Sequence, residues 1–169
     1  TFAQEVTLIV SGYGGFILKY EGDAVIVIFP AEYDRIQACK NALSCSRAVL
    51  EIIKNAINPI FEENTLPEIT VRTGLAFGPT LVVLYGKSLE KAHLDITGSG
   101  ISLAAKIASI ARPNQVLVGE LIYNIIVSSK DKDFEKSKFE EVRLDPMKWK
   151  YLSKSDPESF YRVYQFLVD

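Results

Sequence analysis

Gly14-Gly15-Phe16-Ile17-Leu18-Lys19-Tyr20-Glu21-Gly22-Asp23-Ala24-Val25-Ile26-Val27-Ile28-Phe29 is the stretch on which the fold turns. Two runs rich in β-branched and aromatic residues, 16–20 and 24–29, flank the pair Glu21-Gly22. That pattern predicts a β-hairpin, with Gly22 supplying the positive φ its tip needs. Pro30 closes the second strand, because a proline nitrogen cannot donate to a ladder. Lys19 and Asp23 sit close to the tip of a segment that is otherwise mostly apolar. A buried charge without a partner is costly, so such a pair is exposed, mutually compensated or functional. A solvated hairpin tip accounts for it as readily as a site does.

Before the hairpin, Phe2, Val6, Ile9 and Val10 recur at helical spacing and the glycines at 12, 14 and 15 end the helix. After it, Asp34 is placed to cap a long helix reaching about residue 57. Ile36, Cys39, Leu43, Val49, Ile53 and Ile57 follow helical steps, so this element reads as a packing helix. Asn58-Pro59 is expected to break it, with 62–65 as loop. Residues 69–77 and 80–85 read as strands joined at Gly78-Pro79 into a second hairpin, with Arg72 at a surface position. A helix over 101–111 stops at Arg112-Pro113. A short apolar strand at 115–118, a helix at 121–127, a charged loop at 128–138 and strands at 139–144 and 160–166 complete the chain. Mixed helices and strands with frequent hairpins predict an α+β domain, mainly an antiparallel sheet with helices on one face.

The 169 residues suffice for one domain with a real core. Hydrophobic residues make up 48% and charged residues 24%, an ordinary globular balance. A net charge of −2 provides no basic field for nucleic acid, although a nucleotide needs only a local positive site. The two cysteines, Cys39 and Cys45, lie six residues apart on a helical pattern, on different faces and too distant to bridge. They fit a reducing compartment, and a cytoplasmic location is expected. His93 is the only histidine, so no His/Cys zinc cluster is available. No apolar run approaches the length of a membrane span.

A second stretch gives the hairpin a context: His93-Leu94-Asp95-Ile96-Thr97-Gly98-Ser99-Gly100-Ile101-Ser102-Leu103-Ala104-Ala105-Lys106-Ile107-Ala108. The two together resemble the class III nucleotidyl cyclase catalytic domain, which carries a G-G-x-[x]-x-K-x-x-G-D hairpin followed by a D-x-x-G-x-x-[VI]-N-x-A-x-[RK] segment. The resemblance covers nearly the whole chain. It implies a ferredoxin-like βαββαβ core, here a single domain over 1–169 without the family's first strand.

What the resemblance implies about chemistry is specific. The ribose 3′-hydroxyl of a nucleoside triphosphate attacks the α-phosphate in line, and pyrophosphate leaves. Such phosphoryl transfer depends on positioning and charge stabilisation, and two Mg²⁺ or Mn²⁺ ions are expected to assist it. Asp23 matches a metal carboxylate, the oxygen donor hard cations require. Lys19 matches the base-reading lysine and Asp95 its partner for the exocyclic amine, a combination that suits ATP and the formation of 3′,5′-cyclic AMP. A loop carboxylate ahead of a helix is the plainer account of Asp95.

Ser102 and Lys106 stand where the family has its transition-state asparagine and arginine. At i, i+4 they share one helix face, and with Ser109 they also read as a solvated stripe. Serine is shorter than asparagine, and lysine lacks the planar guanidinium fork. The family's first metal aspartate lies on a strand before the opening helix, and no such strand is in this sequence. These residues alone are therefore expected to form no cyclic AMP. The family acts as head-to-tail dimers, so a homodimer or a pseudo-heterodimer with a second cyclase domain is expected. In such a dimer Lys19, Asp95, Ser102 and Lys106 come from one subunit and the metal carboxylates from the other. A degenerate cyclase-like module that binds nucleotide or dimerises to regulate a neighbouring domain is the alternative. A diguanylate-cyclase-type domain ranks last, because the acid-aromatic pair after the hairpin turn is missing.

Overall fold

A computed structural model describes residues 2–88, 91–153 and 156–168. The opening helix, α1 (Phe2–Gly12), ends where Gly14 takes φ +73° and the Gly15 N–H bonds back to the Val10 carbonyl at 2.9 Å. The hairpin follows as β1 (Phe16–Glu21) and β2 (Ala24–Ile28). Glu21 pairs with Ala24, so the turn is Gly22-Asp23 rather than Glu21-Gly22, with Gly22 at φ +63°. Asp23 thus stands in the turn itself. Val6 and Val10 of α1 pack with Cys45 and with Ile17, Val25, Val27 and Phe29, which fastens the hairpin to the body.

Asp34 caps α2 (Arg35–Ile52), its carboxylate accepting from the Gln37 N–H at 2.9 Å. The helix does not break at Asn58-Pro59. It widens into a π-helical turn, Ile53–Ile57, and resumes as α3 (Asn58–Glu63), with Pro59 in the first turn where its missing N–H costs least. The Asn58 side chain holds both the N–H and the carbonyl of Ile69, at 2.9 and 3.1 Å.

That contact explains why the strand expected over 69–77 is only β3 (Arg72–Leu75). Its upstream end is extended chain whose polar groups are met by asparagine: Asn58 at Ile69, and Asn114 at Val71, where Oδ1 accepts at 3.1 Å. The second hairpin does not form either. β3 pairs in parallel with β6 (Gln115–Gly119), whereas β4 (Leu81–Tyr85) pairs antiparallel with β5 (His93–Thr97). After β3 the chain runs through Gly78-Pro79 into a different sheet instead of folding back.

The largest sheet has the order β3-β6-β8-β7, with β7 (Phe139–Glu141) and β8 (Val163–Phe166) antiparallel to their neighbours. α4 (Ser99–Ile110) precedes β6, and α5 (Glu120–Ser128) follows it. Alternation along β6 divides the core. Val116 and Val118 pack with Leu43 of α2 and Ile122 and Ile126 of α5, while Leu117 packs with Ile107 of α4, Trp149 and Val163. The α+β class and the mainly antiparallel pairing hold, but the helical layer is split between two faces, because both faces of β6 are apolar.

Cys39 and Cys45 are free, buried and in separate clusters, as their spacing predicts. Burial pushes both thiols up to about 11. Glu120 is buried and fully engaged: it accepts from the Ser153 hydroxyl at 2.5 Å and the Arg162 N–H at 3.0 Å, pinning the chain before β8 to the start of α5. Arg72 is exposed, as expected.

Candidate active site

Two small sheets bring the first pair of site residues together. Lys19 is in β1, just after a register shift between Ile17 and Lys19. Asp95 is in β5, opposite Val83. The Lys19 Nζ lies 3.4 Å from the Asp95 Oδ1, with the two side chains 39% and 37% exposed. Residues 76 positions apart in the sequence therefore meet as an open ion pair. Asp95 belongs to a strand, not to a loop ahead of a helix.

The Asp95 carboxylate also accepts from the Ile96 N–H at 2.8 Å. That bond is the main reason its carboxyl lies below the usual carboxylate range; desolvation opposes it, and the Lys19 ammonium adds to the lowering. A lowered folded-state value means that the ionised form, and the pair with it, persists above the ordinary carboxylate pKa and is lost only as pH falls through the lowered value. Any selection among bases made by this pair should be flat from about pH 8 down to about pH 5. Nucleotide competition followed across that range checks this, and selectivity that collapses between about pH 7 and 6 would contradict it.

Gly98 sets the approach from β5 to α4. It adopts φ +147°, and a Cβ there would lie 2.7 Å from the Pro79 carbonyl oxygen. Only glycine allows the start of α4 to pass this close to the chain entering β4. Ser102 and Lys106 follow one turn apart on α4, Ser102 exposed and Lys106 half-buried, while Ile107 faces the core. The Ser109 hydroxyl donates to the Lys106 carbonyl at 2.7 Å and so turns back onto its own helix. The expected polar stripe is thereby reduced to Ser102 and Lys106.

Asp23 is not part of this group. It stands exposed in the hairpin turn, roughly 10 Å along the strand from Lys19 at about 3.3 Å per residue. Among the described residues no group of three His, Cys, Asp or Glu side chains is placed to hold a metal ion. A hard divalent cation takes six or more oxygen donors, and a single carboxylate does not make its site. The described residues of one chain therefore do not fit a complete divalent-ion centre.

Tyr20 is a residue the sequence did not flag. Its hydroxyl meets the Thr7 hydroxyl at 2.8 Å and donates to the Ala3 carbonyl at 3.2 Å, tying the strand that carries Lys19 to the first turns of α1. Its position beside Lys19 was the one available signal.

The model of the adenylate and guanylate cyclase catalytic domain matches residues 7–161. The chain belongs to that family. Members of the family generally use divalent metals. A cytidylate cyclase of Staphylococcus aureus is 29% identical over 113 residues, covering 65% of this chain and 27% of that protein. The adenylyl cyclase CyaB of P. aeruginosa shares the fold at a TM-score of 0.75 and 20% identity, over 99% of this chain and 79% of that one. The guanylate cyclase domain of RhGC from Catenaria anguillulae, solved with GTP, does so at 0.70 and 20%, over 99% and 80%. The cyclase domain spans about a quarter or less of the length of the curated relatives it matches. No helix among its described residues is long and apolar enough to cross a membrane.

Proposed function

We propose that this cyclase domain converts ATP to 3′,5′-cyclic AMP and pyrophosphate as part of a dimer. The observation that carries the reading is the Lys19–Asp95 ion pair, a donor and an acceptor held side by side and open to solvent. Lysine offers only donors and an ionised carboxylate only acceptors. Adenine presents the complement, a ring nitrogen that accepts beside an amine that donates. Ser102 and Lys106, on the helix that follows Asp95, are assigned to the ribose and to the charge that develops on the phosphate.

Asp23 is assigned to Mg²⁺ or Mn²⁺ as one carboxylate of a two-ion site, with the remaining donors coming from outside a single copy of the described residues. Its distance from Lys19 agrees with a site shared between two copies. The apolar side chains of β4 agree with self-association: Leu81, Val82, Leu84 and Tyr85 are each more than half exposed, on both faces of a two-stranded sheet. A second cyclase domain of similar surface would serve equally as the partner. The whole is placed here as a single domain over 1–169, and the two buried free thiols agree with a cytoplasmic location.

Cyclic nucleotide formation with Mn²⁺ and either ATP or GTP tests the reading, by these residues and by a form extended upstream of Thr1, with Asp23→Ala as control. The expected result is cyclic AMP from the extended form that disappears in the control. A folded, dimeric protein that gives no product would support the second reading, a degenerate module that binds nucleotide or dimerises to regulate a neighbour. The observation favouring that second reading is serine and lysine at the transition-state positions. The cytidylate cyclase among the relatives makes the base the open element of both readings.

A further inference from the structure

We infer that the Lys19–Asp95 pair reads one edge of a base rather than adenine as such, so that the site admits CTP alongside ATP and turns away GTP and UTP. The inference rests on the proposed role of this pair in holding the base. Its argument is the chemistry of the two side chains. Lys19 can only donate and ionised Asp95 can only accept, and they lie 3.4 Å apart, close enough to make two parallel hydrogen bonds to one edge.

Adenine offers N1 as acceptor beside the N6 amine as donor. Cytosine offers N3 as acceptor beside the N4 amine as donor, the same pair of groups on the same kind of six-membered ring. Guanine and uracil reverse it, with an N–H beside a carbonyl oxygen. Either would set a donor against the lysine ammonium and an acceptor against the carboxylate. Unmatched polar contacts of this kind are what give a hydrogen-bonding site its power of rejection.

Size is the remaining distinction between adenine and cytosine. Cytosine's edge lies closer to its ribose, so the reading groups must follow it inward. Both are free to do so. The side chains are more than a third exposed, Lys19 has a flexible four-carbon stem, and the register shift before Lys19 marks an irregular point in β1. The ionised state of Asp95, held by the Ile96 N–H, keeps the acceptor in place for either base.

Cyclisation is the same for both nucleotides. A bond forms between the ribose 3′-oxygen and the α-phosphorus, the bond from that phosphorus to pyrophosphate breaks, and pyrophosphate leaves with the electron pair. The 3′-hydroxyl proton passes to water. Neither oxidant nor co-reactant is needed.

Binding of the 3′-deoxy forms of ATP, CTP, GTP and UTP, which lack the attacking hydroxyl, tests the inference without turnover. Titration calorimetry on the full chain, with Mn²⁺ present, should give ATP and CTP analogues affinities within about tenfold of each other. The GTP and UTP analogues should bind weaker by at least about tenfold, the order of one charge-assisted hydrogen bond. In Lys19→Ala and Asp95→Ala the preference should shrink towards equality. An ATP analogue that binds while the CTP analogue does not would overturn the inference and leave the proposed function standing. GTP or UTP analogues that bind as well as the other two would likewise overturn it, because the edge would not be read. Failure of all four to bind the folded protein would overturn the proposed nucleotide site itself, and the inference with it.

Discussion

Replacing Gly74 by alanine is expected to destabilise the fold by about 3 kcal/mol and to disturb the site in the same step. A Cβ at this position would lie 2.3 Å from the Ala108 nitrogen, 2.4 Å from the Ala104 carbonyl oxygen and 2.8 Å from the Ala108 Cα. All three are backbone atoms of α4, so no side chain can swing aside. Either α4 lifts off β3 or β3 leaves its parallel pairing with β6. Overpacking of this kind typically costs 1–3 kcal/mol and more where the neighbours are rigid. α4 carries Ser102 and Lys106 on the turns beside Ala104 and Ala108, so lifting it displaces the residues assigned to the transition state. Thermal melting checks the first part, with a fall of roughly 10 °C expected for a chain of this size. Gly12→Ala is the matched control: nothing lies within 4 Å of a Cβ there, and its stability should be unchanged or slightly raised. A Gly74→Ala protein that melts with the parent would show that the α4–β3 contact has slack.

The same glycine shows where reading the sequence succeeds and where it stops. The hairpin was legible because strand propensity, a glycine at positive φ and a closing proline agree over a dozen residues. The Asp34 cap was legible because one side chain satisfies one local backbone donor, at 2.9 Å. The end of β3 was not, since residues 69–71 keep a strand-like pattern whether a neighbouring strand or two asparagine side chains meet their polar groups. Gly74 reads in sequence as an ordinary strand glycine, and the helix passing over it comes from thirty residues later. Nor does local pattern distinguish the hairpin expected after Gly78 from the pairing of β4 with β5, because either partner satisfies the same ladder. The split of the helices between two faces was visible in principle, since Val116, Leu117 and Val118 are consecutively apolar, the signature of a strand covered on both sides. Lys19 and Asp95 were brought together on paper by the resemblance alone. Their meeting at 3.4 Å depends on two sheets whose juxtaposition no spacing rule encodes.

In a form of the protein that makes cyclic nucleotide, Ser102→Asn together with Lys106→Arg is expected to raise the rate of its formation on the order of 10²-fold or more, with KM for the nucleotide little changed. Ser102 is exposed, so asparagine has room there, and half-buried Lys106 already places a long aliphatic stem that arginine can follow. Asparagine extends a donor and an acceptor farther from the helix than a serine hydroxyl can. Arginine presents a planar fork that binds two phosphate oxygens at once, where lysine offers a point charge. Contacts strengthened only as charge moves onto the α-phosphate lower the barrier without tightening the ground state, so the gain should appear in kcat and not in KM. The two single variants separate the contributions, and coupling between them is expected because residues at i, i+4 address the same group. Melting temperature should stay near that of the parent, which distinguishes a chemical gain from a general improvement in folding. If the double variant matches the parent in kcat while still binding nucleotide, Ser102 and Lys106 do not face the reacting phosphate. The Lys19–Asp95 pair would then hold a nucleotide whose cyclisation does not depend on this face of α4. A rise in kcat would instead assign the present serine and lysine to a slow cyclase, in which a short side chain and a point charge limit the rate.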